Sequence, residues 1–130
     1  FAKWVIAPTS RIVSTLRARY PHVPTIGFPR GAGAQYVDYL AQTGVHGIAI
    51  DSGVPPAWAA TQLQGAAAVQ GNLDPIHLLA GGHGMEREIT SIRDALGKGR
   101  FIFNLGHGVV PQTPPEHVAA LVAAVRAGSH

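Results

Sequence analysis

Apolar positions along the chain follow two alternating rhythms. Four short runs rich in β-branched or aromatic residues, Thr25–Phe28, Ile48–Ile50, Ala67–Val69 and Phe101–Leu105, are each bounded by turn residues, which predicts buried strands. The segments between them carry helical spacing. Ile12, Leu16 and Tyr20 place one stripe on a first helix, Pro8–Tyr20, which is expected to pack outside the sheet and to end at Pro21. Tyr36, Val37, Leu40 and Ala41 mark a second helix over Ala34–Gln42, stopped by Gly44 and leaving Asp38 to water. Pro55-Pro56 opens a third that runs to Leu63 with Trp58 as a packing anchor. A short helix reaching Ala80, a longer one over Met85–Leu96 and a last one over Pro115–Val125 complete the series. Thr113 is expected to cap the last helix, Glu116 suits the positive end of its dipole, and Leu121, Val122 and Val125 form its buried face.

Strands alternating with helices predict an α/β fold with a parallel sheet. Four βα units leave two unpaired sheet edges, and a closed eight-unit barrel needs about 250 residues. The expectation is therefore the C-terminal half, about strands 5–8, of a TIM (β/α)8 barrel, with residues 1–130 forming part of one domain whose N-terminal half is absent. Composition agrees with that picture. Charged residues are only 13% of the 130, about half the usual share, which points to surface covered by something else. The chain starts at Phe1 and its single methionine is Met85, so it is expected to be a piece of a longer protein.

Ten Lys and Arg against seven Asp and Glu give a net charge of +3, but the basic residues are scattered, and no dense patch interleaved with aromatics argues for nucleic acid. Cysteine is absent, which removes disulfides and thiolate metal sites and makes cytosol the expected compartment. No run approaches the roughly 18 consecutive apolar residues of a membrane span, and no secretory signal is visible at the start.

In parallel β/α structures the residues just past each strand's carboxyl end converge on one mouth. That rule selects Arg30, Asp51-Ser52, Asn72 and Asp74, and Asn104 and His107. His107 stands between Gly106 and Gly108, which allow a sharp turn and leave the imidazole uncovered; a tight turn with a merely solvated histidine is the plainer alternative. Asp51, Asp74 and His107 could be imagined around a metal, but neither an HExxH pattern nor histidines at i and i+4 support it. A hydrolase triad of Ser52, His107 and an aspartate lacks the G-x-S-x-G elbow. Asp51 is more simply a carboxylate that ties down a loop, and Asp74 before Pro75 reads as a turn and helix start. Gly81-Gly82-His83-Gly84 lacks a preceding strand and a following Lys-Ser or Lys-Thr, so it reads as a hinge between helices with a solvated His83 rather than a phosphate loop.

Gly71-Asn72-Leu73-Asp74-Pro75, then Phe101-Ile102-Phe103-Asn104-Leu105-Gly106-His107-Gly108-Val109, then Pro114-Pro115-Glu116-His117-Val118 resemble the uroporphyrinogen decarboxylase family in motif and spacing. Similarity extends through Phe1–Ile6, Pro24–Phe28 and Gly47–Asp51. The resemblance implies a cytoplasmic, homodimeric (β/α)8-barrel enzyme of haem biosynthesis. Such an enzyme decarboxylates the four acetate side chains of uroporphyrinogen III to give coproporphyrinogen III, without metal or organic cofactor. It carries one binding residue onto this chain, His107, with Asn104, Gly106, Asn72 and Asp51 as weaker cleft candidates. The family's substrate-binding arginines, its pyrrole-facing aspartate and its cleft tyrosine and serine precede the matched part, so Arg30 is not promoted and the piece alone is expected to be inactive. Corrinoid-linked methyltransferases of the same superfamily use a cysteine-containing zinc site, which this cysteine-free chain lacks. A non-catalytic half-barrel that assembles through its edges is the remaining alternative.

Overall fold

Four β-strands, β1 (Ile26–Gly27), β2 (Gly47–Ala49), β3 (Ala68–Leu73) and β4 (Phe101–Leu105), pair in chain order into one all-parallel sheet in the computed structural model, which describes residues 1–127. Parallel neighbours in chain order require a crossover each time, and helices supply them. Helix α1 (Ala7–Arg19), which follows a π-helical turn at Ala2–Ile6, precedes the sheet; the crossovers are α2 (Tyr36–Thr43), α3 (Pro56–Gln62) and the pair α4 (Pro75–Ala80) and α5 (Gly82–Leu96), and α6 (Pro115–Ala127) follows the sheet. This is the expected α/β arrangement of consecutive βα units.

The register sorts side chains onto two unlike faces, because paired residues of parallel strands point the same way. Gly27, Ile48, Val69 and Phe101 are in line, followed by Gly71 with Phe103 and Leu73 with Leu105. Helices cover this side: α3 and α5 pack on β3, and Tyr39 of α2 lies so close to Gly27 that an added Cβ would sit 2.5 Å from its hydroxyl. Ile48, Val69, Leu73, Leu63, Ile89 and Leu96 form the centre of the core. The opposite face carries Ile26, Gly47 and Ala68, then Ala49, Gln70 and Ile102, then Asn72 and Asn104. Ile26 and Ile102 stand exposed on it.

Several helix faces depart from the sequence expectation, each by about one position. On α1 the buried residue is Val13, while Ile12, Leu16 and Tyr20 are exposed. The helix packs on α2 and the opening turn rather than the sheet. Arg17, one turn beyond Val13, donates to the carbonyl of Gly44 at the end of α2, so a cation meets the negative end of that helix. α2 buries Tyr36, Tyr39, Leu40 and Thr43 and leaves Val37 out, with Gly44 left-handed at φ 70° as its stop. α5 begins at Gly82, so the glycine-rich link is a helix's first turn rather than a free hinge; His83 is exposed and lies 3.0 Å from Glu86. α6 starts at Pro115 without help from Thr113, whose hydroxyl is buried and finds no partner among the described residues. Its Val122 is exposed and Leu121 and Val125 are only half-buried. The helix is fastened by His117, whose Nδ1 donates to the carbonyls of Leu78 and Leu79 at 3.0 and 3.1 Å.

Candidate functional site

The strand ends meet where polar residues were expected to gather. β3 runs further than the Ala67–Val69 run predicted and takes in Asn72, which is buried. Its side-chain amide donates to the carbonyls of Asp51 at 2.9 Å and Val54 at 2.7 Å, and its Oδ1 has no partner among the described residues. Asn72 therefore clamps both ends of the loop that follows β2.

Asp51 occupies the start of that loop and is half-buried. Its Oδ2 accepts from the backbone N–H of Gly31 and from the Tyr36 hydroxyl, both at 2.8 Å, and its Oδ1 accepts from Gly53 N–H at 3.1 Å. The Tyr36 oxygen in turn accepts from Asp51 N–H at 3.2 Å. Burial pushes the carboxyl's pKa up, but the N–H of Gly31, the hydroxyl of Tyr36, the N–H of Gly53 and the charge of Arg30 outweigh it and hold the group below its ordinary 3.8. Tyr36 moves the other way, raised well above 10.0 by burial and by the adjacent carboxylate. Tyr36 was legible in the sequence only as a helix-face residue; no spacing rule links it to an aspartate fifteen positions on. A shallow apolar cleft of about 250 Å³, lined by Gly33, Ala34, Gly53, Val54, Pro55 and Trp58, flanks the same loop.

The segment after β4 is docked through the backbone of Gly106 on the end of β3 and on this loop. Gly106 N–H donates to the Leu73 carbonyl at 2.8 Å, and Gly106 is buried. A Cβ built there would lie 2.3 Å from the backbone nitrogen of Ser52, so only glycine fits. His107 follows, exposed at the rim. Its Nδ1 accepts from Gly108 N–H at 2.7 Å, which in the neutral ring leaves the proton on Nε2. The second ring nitrogen is thus a hydrogen-bond donor.

The other candidates are placed less centrally. Asn104 is exposed on β4 and its Oδ1 accepts from Leu105 N–H at 2.8 Å. Arg30 is exposed in the loop after β1. Asp74 caps α4, its Oδ1 accepting from Ile76 N–H at 2.9 Å with Pro75 in the first turn, as a helix start requires. Among the described residues no three His, Asp or Glu side chains gather as a metal-holding group.

Comparison with known proteins places this rim in a family context. The family profile for uroporphyrinogen decarboxylase (URO-D) matches residues 1–128. A uroporphyrinogen decarboxylase of Rhodospirillum rubrum is 54% identical over 127 residues, covering 98% of this chain and 36% of that protein. One of Granulibacter bethesdensis is 52% identical over 126 residues, covering 97% and 37%. The chain thus spans a little over a third of the length of these relatives. A solved methyltransferase from Methanosarcina mazei superposes with a TM-score of 0.75 over 98% of this chain and 36% of its own, at 22% identity, a likeness of fold. With parallel βα units, the glycine-flanked histidine and a profile match along nearly all its length, this chain belongs to the uroporphyrinogen decarboxylase family.

Proposed function

We propose that this chain is the C-terminal part of a uroporphyrinogen decarboxylase, in which it builds one wall of the substrate cleft. The observation that carries the reading is the exposed His107, held at the sheet's carboxyl rim with Nδ1 engaged by the Gly108 N–H, in a chain whose relatives bear that name. Decarboxylation of a pyrrole acetate breaks the bond between the methylene and the carboxyl carbon. Carbon dioxide leaves, the electron pair passes into a protonated pyrrole, a proton delivered to the methylene carbon completes a methyl group, and loss of the ring's added proton restores the neutral pyrrole. The substrate supplies its own electron sink, so the protein's part is orientation, charge stabilisation and proton transfer. In this reading His107 donates from Nε2 to a substrate carboxylate. The whole enzyme takes four acetates of uroporphyrinogen III to coproporphyrinogen III and works as a cytoplasmic homodimer, with the remaining wall supplied by parts of the relatives that this chain does not span.

The test is His107→Asn in the whole enzyme. A hydrogen bond to a charged group is worth about 1.5–3 kcal/mol, so catalytic efficiency toward uroporphyrinogen falls roughly tenfold to a hundredfold while circular dichroism stays that of the parent. Wild-type kinetics would remove His107 from the site. The 130-residue chain by itself yields no coproporphyrinogen.

A further inference from the structure

We propose that Asp51 is a positioning residue of the cleft: it ties the loops after β1 and β2 together and so sets the seat on which Gly106, and with it His107, rests. The inference deepens the decarboxylase reading and rests on it for the substrate used in its test.

An ionised carboxylate has about four lone-pair positions to fill. Three are taken, by Gly31 N–H, the Tyr36 hydroxyl and Gly53 N–H, donors drawn from the β1–α2 loop, from α2 and from the β2–α3 loop. A group so engaged is poorly suited to carry protons for a substrate. Its backbone is engaged as well: the N–H goes to Tyr36 and the carbonyl accepts from Asn72 on β3. Immediately beyond it lies Ser52, whose backbone meets Gly106 without room for a methyl group. One residue therefore joins the trailing ends of β1, β2 and β3 and abuts that of β4. Any slackening at Asp51 reaches His107 through two peptide units and one van der Waals contact, a shorter route than any through the core.

The experiment uses the whole enzyme carrying this chain, with Asp51→Asn, Asp51→Glu and Tyr36→Phe. Asn keeps the shape but turns an NH2 toward donors that need an acceptor. Glu keeps the charge but lengthens the arm. Thr43→Ala is the control: it removes a buried hydroxyl bond to the Tyr39 carbonyl on α2 without touching the rim. Two quantities are measured, the steady-state constants with uroporphyrinogen and the imidazole resonances of His107. Asp51→Asn is expected to raise KM about tenfold with kcat nearly kept, and to shift the His107 resonances. Tyr36→Phe does the same to a smaller degree, Asp51→Glu does not restore the parent values, and Thr43→Ala leaves His107 unmoved. Unshifted His107 resonances with parental KM in a folded Asp51→Asn, or in Tyr36→Phe should the former not fold, overturn the proposal. So does a collapse of kcat at unchanged KM, which would make Asp51 a participant in the chemistry. If the parent enzyme leaves uroporphyrinogen untouched, the decarboxylase reading fails, and the His107 resonances still decide for or against the positioning role.

Discussion

Gly106 and Asp51 show how differently two residues of one rim constrain it. At Gly106 the constraint is space. Replacing it by Ala puts a methyl group 2.3 Å from a backbone nitrogen, and the overpacking is expected to cost at least about 1–3 kcal/mol, read as a lower urea midpoint. At Asp51 the constraint is charge. Its folded pKa lies below the ordinary 3.8, so the carboxylate's contribution to stability is present above that pH and is lost as pH falls through the folded value. Asp51→Asn should therefore be less stable than the parent near neutrality, with the gap closing in acid unfolding measured below pH 3.8. The histidine between two glycines was visible in the sequence because glycine advertises backbone geometry. The Asp51–Tyr36 pair was not, because its partners come together only when α2 folds back across the end of β2. Asn72 was found but misplaced past the strand's end: β2 pairs with β3 only as far as Gln70, yet the strand continues through Leu73 because β4 pairs with it residue by residue.

Helix and strand positions were largely legible from periodicity, whereas the direction each helix faces was not. Hydrophobic spacing on α1 selects Ile12, Leu16 and Tyr20, but the helix turns Val13 inward and aims the exposed Arg17 at α2, where it satisfies the open carbonyl end of that helix. Ile12→Ser is accordingly expected to change the melting transition by no more than about 0.5 kcal/mol, while Val13→Ala costs roughly 1.5–2 kcal/mol by loss of buried methyl groups. The reverse order would restore the stripe read from the sequence. α4 offers the converse case, in which a local signal decides the outcome. Asp74 and Pro75 start the helix as their chemistry demands, and Asp74→Ala should cost about 1 kcal/mol, measurable as faster exchange of the amides that follow Pro75 in α4. The Thr113 cap failed because α6 begins only at Pro115, which leaves Thr113 one position ahead of the capping place, and the His117 N–H goes to the Pro114 carbonyl.

For the whole molecule, the low share of charged residues and the four βα units already implied that much surface belongs against other structure, and the exposed Ile26 and Ile102 on one sheet face agree with that. The relatives, nearly three times as long, have the chain to cover it. The contact between Gly106 and Ser52 carries a further consequence, for how this rim can vary in length. Two stretches of main chain that touch without an intervening side chain are registered like teeth: inserting one residue between Leu105 and Gly106 would carry the glycine off its seat, as would one between Ile50 and Ser52. Insertions and deletions are tolerated outside that meshed section and outside the loop that Asn72 clamps after β2, as beyond Val109, so the mouth's periphery is free to diversify around a hub of unvarying length.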